Sequence, residues 1–277
     1  MNRVAVYLFF CLCVLMGCDG GSESEPMPEM ETEPEVVFAD IIVGDGAELE
    51  EGMLVSLTYT VTETRTGRVI DSSDEGILLP VHEWTNVLSF LVGSASVPEG
   101  LNQGVVGMKP GGTRIIEIPS DLAFPDGVEG LLLANTNIIM EVAFLALPET
   151  EILTPGQGTP KEIGDQVSVL FEARLSDGTV ELETVVTVNG ERVDSVYDFI
   201  LGDRLTPRAF GGNPASSGGN PQLIEVMTGM HYGMQGMLPG ETRRITLSPA
   251  HGLGSRSSST DTTPADSTLT VDVELIG

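Results

Sequence analysis

The chain has 277 residues, of which 41% are hydrophobic, and it carries a formal net charge of −28 at pH 7. A chain this acidic is repelled by phosphates, so we predict no nucleic-acid partner and no binding to anionic lipid surfaces. Solubility explains the charge most simply, and a basic partner is the alternative. The hydrophobic content is sufficient for two cores of ordinary domain size.

The first residues have the pattern of an export signal. Arg3 precedes an apolar run of thirteen residues, Val4–Met16, which is too short to span a bilayer. The run ends in Leu15-Met16-Gly17-Cys18, which resembles the lipobox of bacterial lipoproteins. We therefore predict a lipoprotein signal peptide over residues 1–17 and lipidation of Cys18. The protein would be exported and anchored to a membrane by its lipid, on the periplasmic side or at the cell surface. An ordinary signal peptide with an incidental cysteine is the alternative.

An acidic segment follows the cysteine. Asp19–Glu35 contains seven acids, three prolines and no base, a composition that cannot bury enough apolar surface to fold. We interpret residues 18–37 as a disordered acidic tether. The only cysteines are Cys11, Cys13 and Cys18, so the folded part depends on core packing rather than on disulfides.

The next hundred residues or so have the pattern of a β-rich domain with one short helix. Alternating β-branched, aromatic and polar residues predict strands at Met53–Glu63, Arg114–Ile118 and Asn137–Leu147. Pro98–Met108 places a proline at a first-turn position, followed by apolar residues at helical spacing, which predicts a helix. Lys109–Gly112 has the Pro-Gly order of a type II turn.

One motif of this domain occurs twice. The pattern G-x-x-x-G-x-x-G-M-x-P-G-x-T-R-x-I begins at Gly100 and again at Gly229, an offset of 129 residues with nine identities. Flanking segments recur in the same order at other offsets, which indicates a duplicated domain with loop insertions. The largest change of offset places an insertion at residues 203–225, and its Gly-Asn-Pro sequences favour a surface loop.

The second copy repeats the predicted elements. Strands are expected at Val167–Leu175, Arg244–Leu247 and Leu269–Ile276, with a helix near Val226–Met237. We therefore predict an α+β fold in two domains, residues 38–148 and 149–277, each a twisted antiparallel sheet wrapped on one short helix.

Four methionines of the second predicted helix share one face. Met227, Met230, Met234 and Met237 recur at helical spacing, which favours a place in the core. An adaptable surface for varied peptides and a soft-metal site are the alternatives. No His or Cys pattern supports a metal, so we predict neither metal nor cofactor.

The order of these motifs resembles the FKBP family of peptidyl-prolyl cis-trans isomerases. The matching segments of the first domain are Ile70-Asp71-Ser72-Ser73, Phe90-Leu91-Val92-Gly93, Val97-Pro98-Glu99-Gly100-Leu101 and Gly107-Met108-Lys109-Pro110-Gly111. The resemblance runs from about Phe38 to Leu147 and again from about Glu149 to Ile276. It implies an FKBP-like fold in both domains, with an apolar pocket that fits the twisted X-Pro amide and needs no cofactor.

The resemblance also implies site residues in the first domain. Tyr59 and Asp71 would be the catalytic polar contacts, and replacing Asp71 by Leu is expected to lower activity with little loss of fold. The substrate pocket would be lined by Ile70, Val97, Pro98, Leu101, Phe124 and Met140. Each of these could instead be an ordinary core, rim or turn residue.

Several of these positions depart from the family pattern. Ile70 and Met140 replace phenylalanines, Leu101 replaces the tryptophan of the pocket floor, and Phe124 replaces a tyrosine. Pro98 has no N–H, so one usual backbone hydrogen bond to the peptide is missing. The implied pocket is apolar but less aromatic than is usual in the family.

The second domain retains less of the implied site. Phe171 stands in place of the tyrosine, Met230, Leu253 and Val271 occupy pocket positions, and no aspartate matches Asp71. We therefore predict a degenerate second site.

The predicted function is peptidyl-prolyl cis-trans isomerisation by the first domain. Its partners would be proline-containing unfolded or exported polypeptides, and the lipid at Cys18 would hold it at the membrane. A non-catalytic FKBP-like chaperone or peptide-binding lipoprotein is the main alternative. A structural surface lipoprotein is a weaker one.

Overall fold

The computed structural model of the protein describes residues 34–79, 81, 85–188, 191–194, 196–203, 222–252, 254, 264 and 266–277. The predicted signal peptide, Cys18 and most of the predicted tether and insertion lie outside these residues. Within the part described, no helix combines the length and the apolar character needed to cross a membrane. Val37, the last residue of the predicted tether, is paired with Glu117 in the first strand.

The first half of the described chain forms a six-stranded antiparallel sheet. Its strands are β1 (Val37–Ile42), β2 (Leu54–Glu63), β3 (Val69–Ser72), β4 (Leu88–Leu91), β5 (Thr113–Ile118) and β6 (Ile138–Phe144), with helix α1 (Glu99–Val105) between β4 and β5. The strand order is β1-β5-β6-β2-β3, and β4 pairs with the first half of β2. We call this sheet and its helix domain 1.

The second half repeats this topology and is called domain 2. Its elements are β7 (Glu149–Thr154), β8 (Gln166–Leu175), β9 (Val180–Glu183), β10 (Val185–Val188), β11 (Glu191–Asp194), β12 (Tyr197–Ile200), α2 (Gln222–Met234), β13 (Thr242–Leu247) and β14 (Leu269–Leu275). The order β12-β8-β14-β13-β7, with β9 on β8, corresponds strand for strand to domain 1. The β10–β11 hairpin has no counterpart among the described residues of domain 1. The predicted α+β fold in two copies is therefore confirmed.

The core of each domain lies between the sheet and its helix. In β2, alternate residues Val55, Leu57, Tyr59 and Val61 are buried in one hydrophobic cluster, as the period of two predicts for a sheet with one covered face. The predicted strands are confirmed with small differences at their ends. The predicted Asn137–Leu147, for example, is a strand only over β6.

The helix of domain 1 is shorter than its sequence pattern predicted. Pro98 is not in the first helical turn but precedes it, with an extended backbone (φ −56°, ψ 145°). The helix ends at Val105, two residues before Gly107, whose φ of +78° is not helical. Leu101, Val105 and Met108 are buried as predicted.

Glycines at the helix–sheet contact explain part of the repeated motif. A Cβ on Gly104 would lie 2.5 Å from Ile116, and a Cβ on Gly233 would lie 2.5 Å from Ile245. Both distances are far below van der Waals contact, so only glycine lets each helix lie this close to its sheet.

The arginine of the motif binds the end of each helix. Arg114 Nη1 donates to the carbonyl oxygens of Gly104 and Val106, both at 2.8 Å. Arg243 makes the same two bonds in domain 2, to Gly233 at 2.8 Å and Gln235 at 3.0 Å. Each guanidinium thus satisfies carbonyls that have no partner at a helix end.

The two turns of the motif have the predicted type II geometry. Gly112 donates its N–H to Lys109 O at 2.9 Å, and Gly111 has a φ of +77°. In domain 2, Glu241 donates to Leu238 O at 2.9 Å, and Gly240 has a φ of +78°. A positive φ at the third turn residue is what type II requires.

The methionine face of the second helix belongs to the core. Met230, Met234 and Met237 are fully buried in the hydrophobic cluster of domain 2, which confirms the core interpretation for these three. The side chain of Met227 lies outside the described residues. The methionines fill the same helix–sheet space that Leu101, Val105 and Met108 fill in domain 1.

Candidate functional site

A bulge in β3 turns two consecutive side chains into domain 1. Val61 pairs with Asp71 and Thr62 with Val69, which leaves Ile70 as an extra residue. Ile70 and Asp71 are both buried, whereas regular alternation would expose one of them. Bulges commonly re-aim a side chain in this way next to functional sites.

The two predicted catalytic residues are hydrogen-bonded to each other. The hydroxyl of Tyr59, from the middle of β2, donates to Asp71 Oδ2 at 2.9 Å, and both residues are almost completely buried. Burial and the neighbouring carboxylate raise the pKa of Tyr59 well above its usual range, although a hydrogen bond with the Leu79 backbone acts in the opposite direction. The phenol is therefore a neutral donor at physiological pH.

Asp71 has two further donors from the chain that follows β3. Ile77 N–H donates to Oδ1 at 3.0 Å and Leu78 N–H donates to Oδ2 at 2.8 Å. A buried carboxylate is tolerated only when its oxygens are hydrogen-bonded in this way. Both polar groups of the predicted site are thus already engaged by the protein itself.

Most of the predicted pocket residues lie around this pair. Ile70, Val97, Leu101 and Met140 belong to the same hydrophobic cluster as Tyr59, and the half-buried Phe124 packs against it. Pro98 lies at the entrance to α1, where its carbonyl accepts the Leu101 N–H at 3.0 Å and the Asn102 N–H at 3.2 Å. The structure therefore brings the predicted residues together. Their roles in substrate binding and catalysis stay predictions.

The cluster also contains Leu79, which is not among the predicted site residues. Leu79 is only 4% exposed and packs in the cluster with Tyr59, and Leu78 and Val81 pack against it. The available signal was the short apolar run Ile77–Leu79 directly after the turn residues Asp74-Glu75-Gly76.

Domain 2 has the same backbone frame without the polar pair. Strand β9 of domain 2 has the same bulge as β3. Leu182 pairs with Ala173, and this pair corresponds to Asp71 and Val61 in domain 1. Phe171 occupies the position of Tyr59 and is buried. Its N–H donates to Thr184 Oγ1 at 2.7 Å, as Tyr59 N–H donates to Ser73 Oγ at 3.3 Å in domain 1.

Other side chains of the second site are packed as core. Met230 and Val271 are fully buried, and Leu253 lies outside the described residues. Phe171 makes an edge contact with Tyr197, with ring centroids 6.4 Å apart, and Phe199 makes another with His231 at 5.3 Å. Among the residues that the structure describes, no three His, Cys, Asp or Glu side chains are grouped as metal ligands would be.

Comparison with known proteins agrees with this duplicated frame. The model of the family "FKBP-type peptidyl-prolyl cis-trans isomerase" matches residues 46–145 and 213–276. These segments make up more than half of the chain, and each lies in a different copy of the repeat. The protein therefore belongs to the FKBP-type peptidyl-prolyl cis-trans isomerase family and contains two FKBP-like regions.

Two of the individual relatives each match less than half of the chain. It is 34% identical over 131 residues to the chloroplastic peptidyl-prolyl cis-trans isomerase FKBP16-3 of Arabidopsis thaliana, covering 46% of the chain and 55% of that protein. It is 35% identical over 101 residues to an FK506-binding protein of Streptomyces anulatus, covering 36% and 73%. The chain thus spans about half the length of the Arabidopsis relative. The crystal structure of the three FKBP domains of wheat FKBP73 aligns with 87% of the chain and 94% of its own at 18% identity and a TM-score of 0.37.

Proposed function

We propose that domain 1 is a peptidyl-prolyl cis-trans isomerase that acts on unfolded or exported polypeptides, and that domain 2 does not catalyse. The observation that carries the proposal is the 2.9 Å hydrogen bond between Tyr59 and Asp71 inside an apolar cluster. The corresponding positions of domain 2 are Phe171 and Leu182. Among the residues that the structure describes, the Tyr–Asp pair of domain 1 is therefore not repeated at the equivalent positions of domain 2.

The reaction needs little more than such an environment. Amide resonance sets a barrier of roughly 18–20 kcal/mol to rotation about an X-Pro bond, and the uncatalysed rotation takes tens to hundreds of seconds. The resonance is lost in the twisted transition state. A site that removes water from the imide and binds the twisted form more tightly than the planar one accelerates rotation without covalent chemistry. Ile70, Leu101 and Met140 would supply the apolar surface, and Tyr59 the donor.

We propose further that the protein is exported and lipid-anchored at Cys18. This rests on the resemblance of Leu15-Met16-Gly17-Cys18 to a lipobox and on the acidic segment that follows it. The test is cell fractionation of the chain and of its Cys18→Ser variant. The unaltered chain is expected in the membrane fraction with an acyl mass on Cys18. Equal release of both forms would reject the anchor.

The enzyme proposal is tested by the cis-to-trans relaxation of a short X-Pro peptide in the presence of the purified chain. We expect acceleration that FK506, the ligand for which the Streptomyces relative is named, suppresses. The matched variants are Tyr59→Phe in domain 1 and Tyr197→Phe in domain 2. The first should reduce the acceleration and the second should not. No acceleration by a folded sample would reject the enzyme.

Two observations favour the non-catalytic alternative, a peptide-binding or chaperone protein. The Asp71 carboxylate already accepts hydrogen bonds from the Ile77 and Leu78 N–H groups. Pro98 has no N–H that could donate to a carbonyl of a bound peptide. A protein of this kind would suppress aggregation of an unfolded client without accelerating X-Pro rotation, so the two assays together separate the candidates.

A further inference from the structure

The segment Gly76–Leu79, here called the site loop, contacts every polar group of the domain 1 site. Its Ile77 and Leu78 amides donate to both carboxylate oxygens of Asp71, at 3.0 and 2.8 Å. The Leu79 backbone hydrogen-bonds with the Tyr59 phenol. An incoming peptide would need these same groups.

The site loop also fills apolar space. The Leu79 side chain is 4% exposed and lies in the cluster that contains Tyr59 and Leu101, whereas the Ile77 side chain, two residues earlier, is 61% exposed. The loop therefore buries one apolar side chain in the core cluster that also contains predicted pocket residues, and it leaves another in solvent.

A tight turn holds the site loop in this position. Gly76 has a φ of +59° and donates its N–H to Ser72 O at 2.8 Å. A Cβ on Gly76 would lie 2.4 Å from Val81 Cγ2, so the turn is closed by direct packing on a residue that itself contacts the core cluster. The turn thus brings the Ile77 and Leu78 amides back to Asp71.

We infer that the site loop is an intramolecular occupant of the domain 1 site, which a polypeptide substrate must displace. The inference rests on the proposed function and names the ligand chemistry. A competing segment must offer N–H donors to Asp71 and a branched apolar side chain to the cluster. Because proline has no N–H, residues beside the proline must supply the donors. The apparent affinity for the substrate then equals the intrinsic affinity multiplied by the fraction of molecules in which the site loop has left the site.

The first test compares two Leu→Ser variants of the full chain. Leu79→Ser removes the buried anchor of the site loop, and Leu133→Ser makes the same change at a side chain that is 63% exposed. We expect Leu79→Ser to tighten binding of a short Leu-Pro peptide about tenfold, equivalent to about 1.4 kcal/mol, and to raise kcat/KM in proportion. Leu133→Ser should match the unaltered protein. Unchanged or weaker binding by a folded Leu79→Ser variant would overturn the inference.

Amide hydrogen exchange in the unaltered protein gives an answer that depends on neither activity nor the folding of a variant. The Ile77 and Leu78 amides should be protected in the free protein and lose protection when the Leu-Pro peptide is saturating. Rapid exchange in the free protein, or protection that persists with peptide bound, would show that the loop does not occupy the site. If the two amides are protected in the free protein and lose protection on peptide binding, but X-Pro rotation is not accelerated, the loop occupies the site and the enzyme proposal is rejected.

Discussion

Asn102 in domain 1 and His231 in domain 2 accept the same hydrogen bond. Asn102 Oδ1 accepts the Gly93 N–H at 2.8 Å, and His231 Nδ1 accepts the Gly202 N–H at 3.0 Å. The two residues are separated by the repeat offset of 129. The accepting Nδ1 places the proton of the neutral ring on Nε2. Duplication has therefore put an ionisable side chain, a histidine, where domain 1 has an asparagine that cannot bind a proton.

This difference predicts that domain 2 is sensitive to acid. Burial lowers the pKa of His231 to about 4 and that of His251 to about 4. The unfolded chain binds these protons from about pH 6.5, so stability is unaffected above that pH and is lost as pH falls from about 6.5 toward 4. Each buried histidine would cost about 3 kcal/mol at the low end. Urea unfolding between pH 7.5 and 4 measures the loss.

The His231→Asn variant is the control for this effect. The variant has the side chain that domain 1 has at this position. The loss of unfolding free energy between pH 6.5 and 4 should therefore be smaller, because the contribution of His231 is removed and only that of His251 remains. An identical pH profile in the variant and the unaltered protein would show that His231 is accessible to protons in the folded state.

The hydrogen bonds of Asp71 predict a larger structural cost than the sequence suggested. Asp71→Leu would leave the Ile77 and Leu78 amides and the Tyr59 hydroxyl without their acceptor. A buried donor left without a partner costs about 1–3 kcal/mol, so we expect the variant to lose roughly 3 kcal/mol of unfolding free energy as well as activity. Urea denaturation and the X-Pro assay measure the two losses.

A second variant separates the pair from its surroundings. Tyr59→Phe with Asp71→Leu reproduces the Phe171 and Leu182 of domain 2, where the fold is kept without the hydrogen bond. We expect the double variant to lose less stability than the sum of the single variants, with a coupling of about 1–2 kcal/mol. Additive losses would mean that the Tyr59–Asp71 bond contributes nothing beyond the separate burial of its partners.

The parts of this structure that could be predicted from sequence are those encoded locally. The 129-residue repeat, the helical spacing of Leu101, Val105 and Met108, and the type II turn at Lys109–Gly112 need no knowledge of distant residues. The long strand β2 can also be predicted, because its ten residues are enough for the alternation of buried and more exposed side chains to be recognised.

The elements that the sequence patterns do not predict depend on contacts with other segments of the chain. β3 and β4 have four residues each, too few for a period to be recognised, and they become strands because β2 offers an edge. The partners of Asp71 could not be read from its own motif, since the amides of Ile77 and Leu78 reach it only after Gly76 adopts a positive φ. The same holds for Arg114, which binds carbonyls at the end of α1 from the next strand.

The helix-binding role of Arg114 predicts that its guanidinium is not replaceable by an ammonium. Arg114→Lys would lose one or both of the bonds to the Gly104 and Val106 carbonyls, because the shorter ammonium cannot hold them together with Asp40. We expect a loss of about 2 kcal/mol in unfolding free energy. Arg244→Lys, at a partly exposed Arg–Asp pair, should have a much smaller effect. Equal losses in the two variants would contradict the role of Arg114.

Alanine variants at equivalent core positions of the two domains distinguish a loss of packing from a loss of catalysis. Leu101 and Met230 lie 129 residues apart, and both are fully buried on the inner face of their helices. Truncating either to alanine should cost about 2–5 kcal/mol of stability through lost burial and a cavity. Only Leu101 lies in a cluster with Tyr59, so only Leu101→Ala should also lower kcat/KM, by tenfold or more, at a temperature where both variants remain folded. Because the stability losses are matched, a difference in activity reports the site rather than the fold. An equal fall in activity in Met230→Ala would place catalysis in both domains.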